Sequence, residues 1–266
     1  LASSAASDVY KRQAIAFAAP VLAPYDPTHA TMQDAFIGPS GSHLFGTDKL
    51  GRDCFSRVLY GARASLSGVL FLVASVFIVG TSMGVISGYF GGKVDMVIMR
   101  ISDMMISFPG MILAIAVAGI MGGSLVNAVI ALTIVSWTKY ARLSRSLVLQ
   151  IKRRDYVEAA IVNGGTSPHI LWVHILPNIL PMMVITAAAD IGALMMELAG
   201  LSFLGFGSQP PAPEWGLMLN EGRQQLQTAP WLMVFPGLAI FVTVMIFNLW
   251  GDNLRDVLDP RNDVQD

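Results

Sequence analysis

The chain has 266 residues, 54% of them hydrophobic and only 13% charged, with a mean hydropathy of +0.58. That is about half the charged share of an ordinary soluble domain, and it excludes a soluble globular protein in favour of an all-α integral membrane protein with several spans. The net charge of −1, with no basic face or aromatic-interleaved basic stripe, excludes nucleic acid as a partner and leaves membrane lipid as the surroundings. Cys54 is the one cysteine, so there is no internal disulfide and no cysteine-based metal site, and His29, His43, His169 and His174 lack zinc-ligand spacing; no metal is assigned.

In chain order, the polar stretch Leu1 to Gln13 has none of the layout of a signal peptide, and the apolar Ala14 to Leu22 is too short to cross a bilayer alone. Residues 1–13 are read as a non-native segment joined to the last half of a truncated first span, and residues 14–266 as one transmembrane domain with about six helices when intact. Residues 23–63 form an outer loop, and the uncharged Leu66 to Tyr89 is a confident span. Met96 to Ile120 and Leu125 to Leu147 are read as an antiparallel pair of spans turning at Gly122-Gly123. Within the first of these, Arg100 and Asp103 are three apart on one helix face and are expected to pair near its inner end. Gly80, Gly84 and Gly88, each four apart, are expected to let helices approach closely.

Residues 155–177 are a polar interruption with helix punctuation of their own. Asp155 with Glu158 reads as a capping box, Gly164-Gly165 as a stop, Ser167-Pro168 as a restart, and Pro177 as a limit or kink. Asn178 to Phe203 follows as a span holding two acids. Asp190 and Glu197 lie seven apart, hence on one face. Either they line a path for a substrate with a free amino group, or Glu197 braces the Leu201 to Gly207 turn; both readings stay open. An outer loop at 207–230 and the uncharged run Gln224 to Gly251 complete five full spans. Lys139, Arg142, Arg145, Lys152, Arg153 and Arg154 crowd ahead of the polar element and place it in the cytoplasm.

Gly46 and Gly51 have the glycine spacing of a phosphate-binding loop, but Arg52 and Asp53 stand where that loop needs Lys and Ser or Thr. The chain has no ATP site of its own. Nor do a nucleophile, a base and an orienting residue assemble at recognisable spacing, so it is not read as an enzyme.

The run Glu158-Ala159-Ala160, Gly164 four residues beyond, and Leu176-Pro177 resembles the EAA loop of permease subunits of binding-protein-dependent ABC importers, with His174 where that pattern has an apolar residue. Leu44 to Asp53 with Arg57 to Leu66, Glu197 to Gly207, and Pro210 to Gly216 are similar to the outer segment, fifth span and outer loop of the dipeptide, oligopeptide and nickel branch, closest to the second permease of the pair. The resemblance covers about Ala18 to Pro260. It implies the type I ABC importer transmembrane fold, alternating access, and ATPase coupling through Glu158, Ala159, Ala160, Gly164, Leu176 and Pro177. It also implies a second homologous permease, two cytoplasmic ATPase subunits that hold the ATP and Mg, an extracytoplasmic binding protein, and a multi-pass place in the bacterial inner membrane. An ion-gradient-driven secondary transporter using Asp190 and Glu197 is the alternative.

Overall fold

The structure, a computed structural model, describes residues 22–258. Residues 1–13, and all but the last residue of the truncated span expected at Ala14–Leu22, lie outside it. Helix α1 runs Cys54–Phe90. It begins where the Asp53 carboxylate accepts the Ser56 backbone N–H at 2.8 Å and stops at Gly91, whose φ of +64° a side chain would resist. Its 37 residues rise about 55 Å, against a bilayer core of about 30 Å. The first turns, with Arg57 and Arg63, therefore belong to the outer segment rather than to the apolar layer.

The next predicted span is not one helix. α2 (Gly92–Ile106) and α3 (Gly110–Met121) meet at a bend of 96°. Pro109 disfavours helical backbone at Phe108 and offers no N–H to continue the ladder. α4 (Leu125–Ile151) follows, then the short α5 (Asp155–Val162) and α6 (Ser167–Ile170). A π-helical stretch, Leu171–Ile175, leads into α7 (Leu176–Phe203). Pro177 and Pro181 each remove an i→i−4 donor, and the π-helical stretch ends just before Pro177. Of the two outcomes expected for Pro177, it does not limit the helix: the backbone widens ahead of it and Ser167–Phe203 forms one stretch of 37 residues. α8 (Trp215–Gly222) lies in the outer loop and α9 (Trp231–Leu258) closes the fold.

Among the described residues, three stretches are long and apolar enough to cross a membrane unaided, and the bent α2–α3 pair makes a fourth. The remaining predicted span, Leu125 to Leu147, is α4, which is long enough at 27 residues but carries Lys139, Arg142 and Arg145 in its second half.

α1 and α4 form the closest pair, and the glycines are the reason. A Cβ on Gly80 would stand 2.5 Å from Tyr140 Cβ, one on Gly84 2.2 Å from the Ala141 carbonyl oxygen, and one on Gly88 3.0 Å from the Arg145 carbonyl oxygen. Without side chains at these positions the two backbones touch, which is how helices gain packing energy in lipid. Val69, Leu72 and Val76 of α1, Leu132 of α4, and Leu198 and Leu201 of α7 are buried together in the resulting core.

Arg100 and Asp103 do not pair. Asp103 takes the Arg142 guanidinium of α4 instead, while Arg100 is exposed. α4 lies against α2 and places the Arg142 guanidinium on the acid. The same logic recurs along this face. Arg145 donates to Asp95 of α2 at 2.6 Å, and Lys152 donates to the Tyr89 carbonyl oxygen at 2.7 Å while covering its ring. The basic cluster that fixes orientation in the sequence also clamps α4 to α1 and α2.

Candidate functional site

The polar element folds into a compact helical turn. Arg154, in extended backbone at φ −80° and ψ 140°, occupies the N-cap of α5, so Asp155 and Glu158 both sit within the first turn and no capping box forms. Both carboxylates instead face the positive end of the helix dipole. At the other end Gly164, φ +80°, donates to the Ile161 carbonyl at 3.0 Å and Gly165 donates to that of Ala160 at 2.9 Å. This pair of bonds is the Schellman closure, and the left-handed residue is the expected glycine. The restart also shifts by one residue: Thr166 is the cap of α6, with Ser167 and Pro168 inside the first turn.

Val157, Ile170 and Ile175 are fully buried between the two arms of the turn. Ile175 thus supplies the apolar packing at the irregular position, and His174 is half-buried with Tyr156 and His169 rings around it. Glu158 and Ala159 are exposed, Ala160 and Leu176 half-buried, Pro177 exposed. The outer face also presents apolar side chains, with Val162 85% and Trp172 72% exposed. The element thus carries charge, small residues and uncovered apolar groups at its surface.

A second site lies where the α2–α3 bend faces α4 and α7. A cavity of about 310 Å³ is lined by Ile106 and Phe108 from the bend, Lys139 and Tyr140 from α4, and Asp190 and Glu197 from α7. The structure brings the two predicted acids to one chamber, and it adds a cation that sequence reading used only for orientation. Lys139 Nζ donates to both carboxylate oxygens of Asp190 at 2.7 Å. Irregular backbone at the bend is tolerated at this depth because it lines a cavity.

At the opposite end of the helices a third cluster binds the outer segment to the outer loop. Arg52 donates to Asp48 at 2.6 Å and to Glu221 at 3.1 Å, and Arg57 donates to Glu221 at 2.7 Å. Both arginines are 1% exposed. Two of the basic residues of the outer segment 23–63, Arg52 and Arg57, are thus paired with local acids. Nearby, the buried Glu214 caps α8 by accepting from Gly216 and Leu217 at 2.9 and 2.8 Å, and Trp215 Nε1 donates to the Val58 carbonyl at 2.9 Å. Local spacing does not reveal the pairing of Glu221, Glu214 or Lys139, because the partner of each lies more than 50 positions away.

Comparison with known proteins decides what these sites belong to. Residues 80–264 match the model of the family described as binding-protein-dependent transport system inner membrane component. The chain belongs to this family. A glutathione transport system permease protein of Pectobacterium atrosepticum is 47% identical, covering 93% of this chain and 83% of that protein. A dipeptide transport system permease protein of Alkalihalophilus pseudofirmus is 44% identical over 93% and 81%. A nickel transport system permease protein of Escherichia coli is 41% identical over 90% and 86%. Among solved structures, an inward-facing form of the MetNI methionine ABC transporter aligns with a TM-score of 0.62 at 20% identity, covering 76% of this chain and 96% of that one. At that identity the likeness shows the fold, that of the type I ABC importer permease. This permease is therefore a multi-pass transport subunit that works with ATPase partners and a substrate-binding protein, and it is not itself an enzyme. Family membership sets aside the ion-driven secondary transporter.

Proposed function

We propose that this permease lies in the bacterial inner membrane as one half of a transmembrane pair, beside a second homologous permease, and imports a peptide-like or related small solute. Two cytoplasmic ATPase subunits would hold the ATP and Mg and dock on the turn formed by residues 155–177. Glu158, Ala159, Ala160 and Gly164 form the arm that enters the ATPase, and Leu176 and Pro177 connect it to the span. The observation that carries this reading is continuity: Ser167 to Phe203 runs as one helical stretch from the docking turn to Asp190 and Glu197. Closure of the ATPases then moves the cavity-lining helix as a rigid body, which alternating access requires. The solute enters from the outer side and passes Asp190 and Glu197. The dipeptide, glutathione and nickel systems of the relatives mark the range of solutes.

Gly164→Leu and Glu158→Trp test the coupling. The first forces a branched side chain into left-handed backbone where nothing lies within 4 Å, so strain rather than clash reshapes the turn. Both variants should insert normally, lose ATPase co-purification and abolish uptake. Unaltered uptake in both would sink the assignment.

A further inference from the structure

The cavity between the α2–α3 bend, α4 and α7 is lined by four ionisable groups whose situations differ. Asp190 is occupied, since Lys139 Nζ meets both of its oxygens at 2.7 Å. Glu197, two helical turns along the same face, has no hydrogen-bond or ion-pair partner among the described residues. Beside them Tyr140 is 1% exposed, and its hydroxyl lies near the Asp190 carboxylate without making a hydrogen bond of regular geometry. A buried polar group without a partner costs about 1–3 kcal/mol, and such groups require an explanation in a native fold. Here the α4 and α7 walls of the same chamber hold an unsatisfied hydroxyl and an unpaired carboxylate.

We infer that this cavity is a recognition site for the protonated amino group of the solute, with Glu197 as its anionic acceptor and the Tyr140 hydroxyl as a neutral partner. This rests on the reading that Asp190 and Glu197 line the transport path, and it names the class of solute that path accepts. Lys139, Asp190 and Glu197 together leave the chamber one negative charge, which favours a cation or a zwitterion entering amine first and disfavours an anion. The Lys139–Asp190 pair positions the site by fixing α4 against α7 and keeping Asp190 from competing for the amine. A volume of about 310 Å³ suits a small organic solute. A bare divalent metal fits poorly. It prefers several oxygen or nitrogen ligands, and among the described residues no group of three or more His, Cys, Asp or Glu is placed to hold one.

Occupancy can be read without relying on transport. Ala193 lines the chamber and is exposed, whereas the native Cys54 is 2% exposed and shielded from reagent. In the assembled importer carrying Ala193→Cys, alkylation by a polar maleimide is followed with alanyl-alanine, its N-acetyl derivative or nickel chloride present. The free dipeptide should protect the cysteine at concentrations at least about tenfold lower than the N-acetyl form, the scale of a charge-assisted hydrogen bond. Glu197→Gln should erase that difference, Glu197→Asp should retain part of it, and Tyr140→Phe should reduce it. Equal protection by both dipeptides, or protection by nickel alone, overturns the inference. So does the absence of any protection in an importer that still takes up its solute, and that result leaves the proposed function standing. Loss of uptake on uncoupling the ATPase turn bears on the proposed function alone.

Discussion

Gly84→Ala is the sharpest test of how this bundle is held together. The added Cβ would lie 1.9 Å from Ser144 Oγ and 2.2 Å from the Ala141 carbonyl oxygen. The first contact is with a side chain that turns away only by giving up its bond to the Tyr140 carbonyl at 2.8 Å. The second is with backbone and does not yield. α1 must move outward by more than 1 Å, which also loosens the contacts at Gly80 and Gly88 on either side. Overpacking of this kind costs about 1–3 kcal/mol. With backbone on both sides the upper end applies, about 3 kcal/mol, or roughly a hundredfold in the folded fraction. Gly119→Ala is the matched control, because its Cβ would meet only Phe206 Cε1 at 3.5 Å, an ordinary contact. Thermal or denaturing-detergent unfolding of the purified permease should separate the two variants clearly. Adding Ser144→Ala to Gly84→Ala should recover only part of the loss, since the Ala141 carbonyl remains. Equal stability of Gly84→Ala and Gly119→Ala would refute the account of α1–α4 packing.

Glu221→Gln removes the carboxylate shared by Arg52 and Arg57 and leaves two buried cations with Asp48 alone, a loss on the order of 3 kcal/mol. The outer segment should then become sensitive to limited proteolysis between residues 26 and 53, and an unchanged digestion pattern would count against the cluster as its anchor. Asp95→Asn breaks the two-bond contact with Arg145 where both side chains are partly solvated. A smaller loss, about 1 kcal/mol, is expected in the same unfolding assay, and salt should shrink it.

The resemblance of the Glu158 to Pro177 run, the presence of helices near the expected boundaries, and the glycine contact face were all legible, because each rests on local spacing. The same local reasoning misplaced the caps at Asp155 and Ser167 by one residue. A residue caps only where its own backbone is non-helical, and at both sites Arg154 and Thr166 are the extended residues while Asp155 and Ser167 are already helical. It also drew one straight span through Ser107 to Pro109. Uniform apolarity says that a segment avoids water, not which way it points.

Charge pairing was the least legible layer. Arg100 and Asp103 satisfy the helical spacing rule, yet Arg142 takes the acid because α4 crosses α2 there. Lys139 with Asp190, and Arg52 with Glu221, join residues far apart in sequence whose meeting depends on the packing of whole helices. The sequence by itself determined that this is a multi-pass helical permease and where the polar turn of residues 155–177 interrupts its spans, since composition and short-range punctuation are local properties. Only the tertiary structure decided which acid is neutralised and which is left unpaired. An ion pair across helices forms between whatever the close glycine contacts and the bend at Pro109 bring within 3 Å.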